Sequence, residues 1–293
     1  IGSRESGIGM EGMMIASGKL NAPPVRRAAG LPQPPAVKPG VRAKVQFGQV
    51  ASGAGHRVVL YGPGGIGKTT LATALPGPVA FFDLDDSLPR LRASLGDGLP
   101  QVIEVAGWAE MRAALQAEGW DGIRTLVLDS ATRAEELCVA HTLATVKHEK
   151  GHAVTSIEGY GYGKGYQHVF DEFLPLLADL DRHCRAGRNV CLICHDCTAT
   201  VPNPAGDDWL RYEPRLQSPT SGKASIRLRV REWADHVLFL GYDVAVNADG
   251  KGIGSGTRTV YPAELPHCMA KSRSAREQIA LADAESFWGE IIR

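Results

Sequence analysis

The chain has 293 residues, 44% of them hydrophobic and 22% charged, with a formal net charge of +0. That composition can fill the core of one large α/β domain with arms, and neutrality excludes a globally basic nucleic-acid binder, so any such surface must be a local patch. The longest apolar runs are strand-sized, far below a membrane-spanning length, and no secretory signal is visible.

The start, Ile1 to Met14, is rich in Gly and Ser and lacks an initiator Met, which suggests a processing or cloning remnant. Residues 20–44 carry Pro23, Pro24, Pro32, Pro34, Pro35 and Pro39, with Arg26, Arg27, Lys38, Arg42 and Lys44 between them. Proline removes backbone donors and fixes φ, so residues 1–44 read as an extended basic arm ahead of a domain at 45–293. The arm is either a flexible linker or a segment that docks on a neighbouring subunit through the apolar-alternating Val45, Phe47 and Val50.

From there strands alternate with helices. Short apolar strands are predicted at Arg57–Tyr61, Val79–Asp83, Gln101–Val105, Arg124–Asp129, Asn189–His195 and His236–Tyr242. Helices are predicted at Lys68–Leu75, Trp108–Glu118, Ala131–Lys147, Val169–Arg185 and Ala282–Ile292. Continuous apolar strands separated by helices imply a mostly parallel central sheet covered on both faces. Gly250, Gly252, Gly254 and Gly256 suggest an antiparallel C-terminal hairpin between Val244–Asn247 and Thr257–Tyr261. Two stretches break the rhythm, Lys150–Gln167 and Cys197–Glu232; both are expected as long loops, and such loops in a compact domain are usually functional or disordered.

The sharpest motif is Gly62-Pro63-Gly64-Gly65-Ile66-Gly67-Lys68-Thr69-Thr70, which fits G-x-x-x-x-G-K-[ST] between a strand and a helix. Its glycines let successive backbone N–H groups turn inward around phosphates, and the helix start adds its positive dipole end. Lys68 is expected between the β- and γ-phosphates of ATP and Thr69 on Mg²⁺. Arg124–Ser130 fits a strand ending in a magnesium-supporting carboxylate, Asp129. Asp83, Asp85 and Asp86 cluster after the second strand, where a carboxylate can orient the attacking water or simply cap a turn.

With these motifs in place the chain resembles the RecA-type ATPases over about Arg57 to Arg273. In that family the second strand ends A-F-[IL]-D-x-E, the Glu being the catalytic base; here Ala80-Phe81-Phe82-Asp83-Leu84-Asp85 occupies the pattern with Asp85 for Glu, and Asp86 competes for the role. The resemblance implies a RecA-like P-loop core, His195 as a γ-phosphate sensor, and Asp129-Ser130 as the Walker B ending. Ala270-Lys271-Ser272-Arg273 resembles the A-K-x-R element of DnaB-like ATPases, which implies that Lys271 and Arg273 reach a neighbour's γ-phosphate. The nucleotide would then lie between subunits of a ring or filament. Gly159–Tyr166, Tyr212-Glu213-Pro214 and Glu232–Asp235 are similar to small phage-encoded RecA-core proteins that act in single-strand annealing or recombination. That likeness implies single-stranded DNA and a single-strand binding protein as partners, and the host cytoplasm as location.

By position the two long loops correspond to the family's DNA loops. Tyr160, Tyr162 and Tyr166 could stack on bases and Lys164 neutralise phosphate. In the second loop Arg227, Arg229 and Arg231 alternate with Ile226, Leu228 and Val230, a period of two that puts the arginines on one face of an extended segment. Arg211, Arg215 and Lys223 add charge, with Trp209 and Tyr212 as stacking platforms. A solvated hairpin or a subunit contact explains the same strip.

Cys191-Leu192-Ile193-Cys194-His195 matches a haem-attachment pattern formally, but alternation along a strand sends Cys191 and Cys194 to opposite faces, which defeats a shared ligand. The six cysteines otherwise form no disulfide framework, and a reducing compartment is the simpler reading. The expected function is therefore an oligomeric, Mg·ATP-dependent ATPase that binds single-stranded DNA and promotes annealing or strand exchange. The rivals are a helicase-like translocating motor and a nucleotide-gated assembly or regulatory protein with little turnover.

Overall fold

The computed structural model describes residues 45, 47, 48, 53–220, 223–246 and 252–292. The chain divides into two units, Ile1–Val50 and Ala51–Arg293. The expected arm at 1–44 and Val50 lie outside the described residues; Val45 and Phe47 of the first unit are exposed.

In the second unit the strands are β1 (Arg57–Tyr61), β2 (Val79–Asp83), β3 (Gln101–Val102), β4 (Thr125–Asp129), β5 (Asn189–Cys194), β6 (Asp196–Val201), β7 (Trp209–Pro214), β8 (His236–Val246), β9 (Gly252–Tyr261) and β10 (Ile279–Ala280). The α-helices are α1 (Lys68–Thr73), α2 (Leu88–Leu95), α3 (Trp108–Gln116), α4 (Ala131–Thr145), α5 (Lys164–Arg185), α6 (Ile226–Trp233) and α7 (Ala284–Ile291). One eight-stranded sheet runs β10-β9-β8-β1-β5-β4-β2-β3, and β6 pairs with β7 as a separate hairpin. From β8 to β3 every neighbouring pair is parallel; β9 and β10 add antiparallel strands at one edge. This is the α/β P-loop architecture expected, a mostly parallel sheet with helices on both faces and an antiparallel hairpin.

The strands carry apolar side chains on both sides because both sides are covered. Val59, Tyr61, Phe82, Leu126, Leu128 and Leu192 face one core, shared with residues of α3, α4, α5 and α6. Val58, Leu60, Phe81, Val127, Cys191 and Ile193 face the other, shared with residues of α1, α2 and α7. Cys191 and Cys194 fall in different cores, as strand alternation required. Trp288 of α7 fastens the second core to the nucleotide-loop helix, donating from Nε1 to the Leu71 carbonyl at 2.7 Å. Among the described residues no helix is long and apolar enough to cross a membrane.

Five expectations need correction. β3 stops at Val102, not Val105. α5 begins at Lys164, so Lys164 and Tyr166 are helical and only 150–163 remains of the first expected loop. The stretch 197–232 is no loop: it holds most of β6, all of β7, and α6. α6 overturns the extended segment with arginines on one face. Ser225 caps its start, accepting from Leu228 N, and Ile226 and Val230, one helical turn apart, are buried while Leu228 is exposed. A helical stripe with a capping serine prevails over the period-two alternation. The hairpin is also longer than expected, with β8 continuing to Val246 and pairing with β9 from Gly252; Asn247 lies outside the described residues.

Candidate active site

All six parallel strands point their carboxyl ends to one edge, and the nucleotide motif follows β1 there. Two glycines in it are forced. Gly62 has φ 155°, and a Cβ would lie 2.1 Å from the Leu240 carbonyl oxygen of β8. Gly67 precedes α1 with φ 101° in the left-handed region. Lys68 is buried, and its Nζ donates to the carbonyls of Gly62 at 2.7 Å and Pro63 at 2.9 Å. Burial lowers its pKa, against the opposing pull of Asp129. The loop is thus closed on its own lysine.

β5 lies between β1 and β4, which sets Asp129 beside the start of α1. Thr69 Oγ1 donates to Asp129 Oδ2 at 2.6 Å. Asp129 is 3% exposed, and desolvation lifts its carboxyl to about 6. A hydroxyl and a desolvated carboxylate are the hard oxygen donors that a magnesium ion takes, and a cation would relieve the cost of that buried charge. The residues therefore fit the metal expected of them.

The three acidic residues after β2 separate into different roles. Asp83, paired in register with Asp129, caps α2: its two carboxylate oxygens accept from Ser87 N at 2.8 Å and Leu88 N at 2.9 Å. Asp85 Oδ2 lies 3.2 Å from His195 Nε2. The His195 bond, with Ser130 behind it, holds the Asp85 carboxyl below its ordinary range despite partial burial. Asp86 is exposed at φ 51° and lines a cleft of about 740 Å³ with Arg92 and Arg133, beside β2 and β3. His195 itself is knotted to α4. Its N–H donates to Thr132 Oγ1 at 3.1 Å, that hydroxyl donates to the Arg215 carbonyl at 3.1 Å, and Arg215 N returns to the His195 carbonyl at 2.9 Å.

The A-K-x-R element lies at the opposite edge. Lys271 pairs with Val237 near the start of β8, and Arg273 Nε sits 2.8 Å from Asp235 Oδ1. Asp235 in turn is bonded to the backbone at Arg57, the first residue of β1. Lys271 is turned onto its own chain. Its Nζ donates to the carbonyls of Arg231, Glu232 and Ala234, where the C-terminal end of α6 leaves carbonyls unpaired and attracts a cation. Arg273 is 71% exposed.

The residues expected on DNA divide similarly. Tyr160 is 3% exposed, its hydroxyl donating to the carbonyls of Thr142 and Val146, so it is a core ring and no stacking platform. Arg211 is buried between Glu213 and Glu264; Arg227 pairs with Glu213 and Arg231 with Glu264. These three arginines balance the buried Glu213 and the exposed Glu264 and do not form a basic strip. Lys164 pairs with Glu149 at 2.6 Å, and the Tyr166 hydroxyl bonds Glu158. Tyr162, Arg215, Lys223 and Arg229 stay exposed.

Two contacts at the site had no signal in the sequence. Thr132 bridges His195, just after β5, and the segment after β7. Arg258 of β9 donates from Nη1 to the Ile66 carbonyl of the phosphate loop at 2.9 Å. Nothing in their local sequence marks either, because both act through partners more than 60 residues away.

No curated protein matches the chain. Among solved structures it is similar to a KaiC-like protein of the hyperthermophilic archaeon Pyrococcus horikoshii, at 14% identity over 79% of this chain and 88% of that one, with a TM-score of 0.41. The AAA domain family matches residues 54–274, which span the phosphate loop, the Thr69–Asp129 pair, His195 and Arg273. By that match across most of its length, the chain belongs to the AAA domain family of P-loop ATPases.

Proposed function

We propose that this protein is an oligomeric ATPase that hydrolyses Mg·ATP at a subunit interface and couples that reaction to single-stranded DNA, in annealing or strand exchange of the phage-recombination kind. The observation that carries the reading is the convergence of Lys68, Thr69, Asp129 and the Asp85–His195 pair at one sheet edge. In this reading the loop amides and Lys68 hold the phosphates, while Thr69 and Asp129 hold magnesium. The metal would supply charge neutralisation on the β- and γ-phosphates. Asp85, kept ionised by His195, accepts a hydrogen bond from the attacking water and aims it at the γ-phosphorus. His195 reports the state of that position to Thr132 and to the segment after β7. Arg273 serves the neighbouring subunit, with Lys271 as its anchor on α6.

For DNA, the support narrows to the exposed Tyr162, Arg215, Lys223 and Arg229, a ring and three cations on a neutral protein. Such a surface binds by stacking and phosphate contact, with little sequence preference and a strong salt dependence. The internal pairing of Arg211, Arg227 and Arg231 favours a second reading, a nucleotide-gated assembly protein without DNA. The test is ATP hydrolysis by wild type and Lys68→Ala, with and without single-stranded DNA. Stimulation by DNA supports the first reading; hydrolysis or ATP-dependent assembly indifferent to DNA supports the second. Equal turnover by Lys68→Ala would remove both.

A further inference from the structure

The β8–β9 hairpin passes directly beside the phosphate loop. The Leu240 carbonyl abuts Gly62, and Arg258 holds the Ile66 carbonyl, so the hairpin is tied to the loop at two points. In the hairpin register Leu240 faces Val260 and Tyr242 faces Arg258. Directly opposed residues of an antiparallel pair project from the same face, and alternation puts both pairs on one face. Leu240 and Val260 belong to the core that contains Ile66 and Leu71 of the loop and its helix. Tyr242 and Arg258 continue that face outward, past the carboxyl edge. Beyond them a hydrogen bond from Thr257 Oγ1 to Asp243 Oδ2 at 2.5 Å braces the two strands. Tyr242 is 46% exposed although it neighbours a closely packed loop.

We infer that Tyr242 is the platform on which the base of the bound nucleotide stacks, and that Arg258 is the positioning residue that fixes this platform to the phosphate loop. The inference rests on the reading that the loop binds a nucleoside triphosphate. A phenol ring presents a π-face to any base, and Tyr242 stands two residues beyond the strand position that touches Gly62, on the side of the sheet where α1 begins. Phosphates held at the start of α1 leave the sugar and base to extend outward along this face. Arg258 adds a cation at the loop without entering it. Its guanidinium has donors besides the one given to Ile66, and a fork of that kind orders carbonyls better than a lysine does.

The experiment is equilibrium binding of two probes in the presence of magnesium, ATP and inorganic tripolyphosphate, which has the phosphates but no base. Wild type, Tyr242→Ala, Tyr242→Phe, Arg258→Ala and Arg258→Lys are compared. Tyr242→Ala is expected to weaken ATP on the order of tenfold and leave tripolyphosphate unchanged, with Tyr242→Phe as wild type. Arg258→Ala weakens both probes, and Arg258→Lys recovers part of the loss. ATP binding unaltered in Tyr242→Ala, or a loss of equal size for tripolyphosphate, overturns the platform. Binding of ATP unchanged in Arg258→Ala overturns the positioning role. Failure of wild type to bind either probe removes the nucleotide reading itself, and is told apart because it appears before any substitution is made.

Discussion

Arg273 and the phosphate loop of the same chain stand at opposite edges of one sheet, and this separation makes a quantitative prediction. The path runs the length of β1, from Arg57, where Asp235 and Arg273 are anchored, to Tyr61, where the loop begins. From the first to the last of its five residues there are four steps of roughly 3.3 Å, about 13 Å, well beyond the reach of one arginine side chain. Arg273 therefore has no access to its own site, so under the proposed function its role is on a neighbour's. Arg273→Ala should lower hydrolysis by ~10³–10⁵, the range for a lost arginine finger. Its effect on folding should be small, because Arg273 itself is largely exposed and the mostly buried Asp235 keeps its bonds to Arg57. Lys68→Ala is inactive for a different reason, loss of the phosphate grip. In a head-to-tail assembly mixed at random in equal parts, about one interface in four joins an intact loop to an intact arginine. The mixture should thus recover about a quarter of the wild-type rate, although each variant alone is silent. The assay is steady-state phosphate release, with co-assembly verified by light scattering on differently sized fusions. Mixed assemblies without recovery, or Arg273→Ala at full rate, would refute the reasoning.

Three further outcomes follow from the geometry. Gly62→Ala places a methyl group against the Leu240 carbonyl at 2.1 Å, so it should lower urea stability by ~2 kcal/mol or more and abolish nucleotide binding. Thr69→Ala should cut magnesium-dependent turnover by at least ~10²-fold while Thr69→Ser retains most of it, since only the hydroxyl facing Asp129 is needed. Glu135, half-buried on α4 and accepting from Gln217 N, has its carboxyl lifted by desolvation from 4.5 to about 7. The native chain then holds a proton that the unfolded chain has released, so this group's contribution is full below about pH 4.5 and is lost as pH rises through 7. The urea-unfolding free energy of wild type should fall between pH 5 and 8 by ~1–3 kcal/mol more than that of Glu135→Gln; parallel profiles would refute this.

Much of the fold was legible because its elements announce themselves locally. Val79–Asp83 and Asn189–Cys194 are continuous apolar runs bounded by turns, and the structure places strands there. The phosphate loop is legible because its glycines and Lys68 are contiguous. Legibility failed where two periodicities compete or where a partner is remote. Ile226–Trp233 alternates like a strand, yet Ser225 and the Ile226/Val230 spacing carried the helical signal. Tyr160 looked like a free ring among glycines, but α4 offers it two carbonyl acceptors across 14 and 18 residues. The acids matching Arg211, Arg227 and Arg231 are Glu213 and Glu264, and Glu264 comes from a distant segment that no spacing rule connects to them. Arg258 reaches Ile66 across 192 residues, so only the closed sheet reveals it.

The carboxyl edge that must receive a polyanion carries Asp83, Asp85 and Asp129 among its acids, and the way each is restrained has a consequence for affinity. Asp83 has both oxygens turned onto backbone amides of α2, Asp85 leans on an imidazole, and Asp129 sits where a proton is retained to about pH 6. The charges of Asp83 and Asp85 still reach Asp129 and help to raise its carboxyl, so an incoming triphosphate needs a cation to settle against this edge. Only Asp129 is left turned toward Thr69, too sparse a chelate to retain a divalent ion unaided, so the ion should arrive already wrapped in the phosphates it helps to cleave.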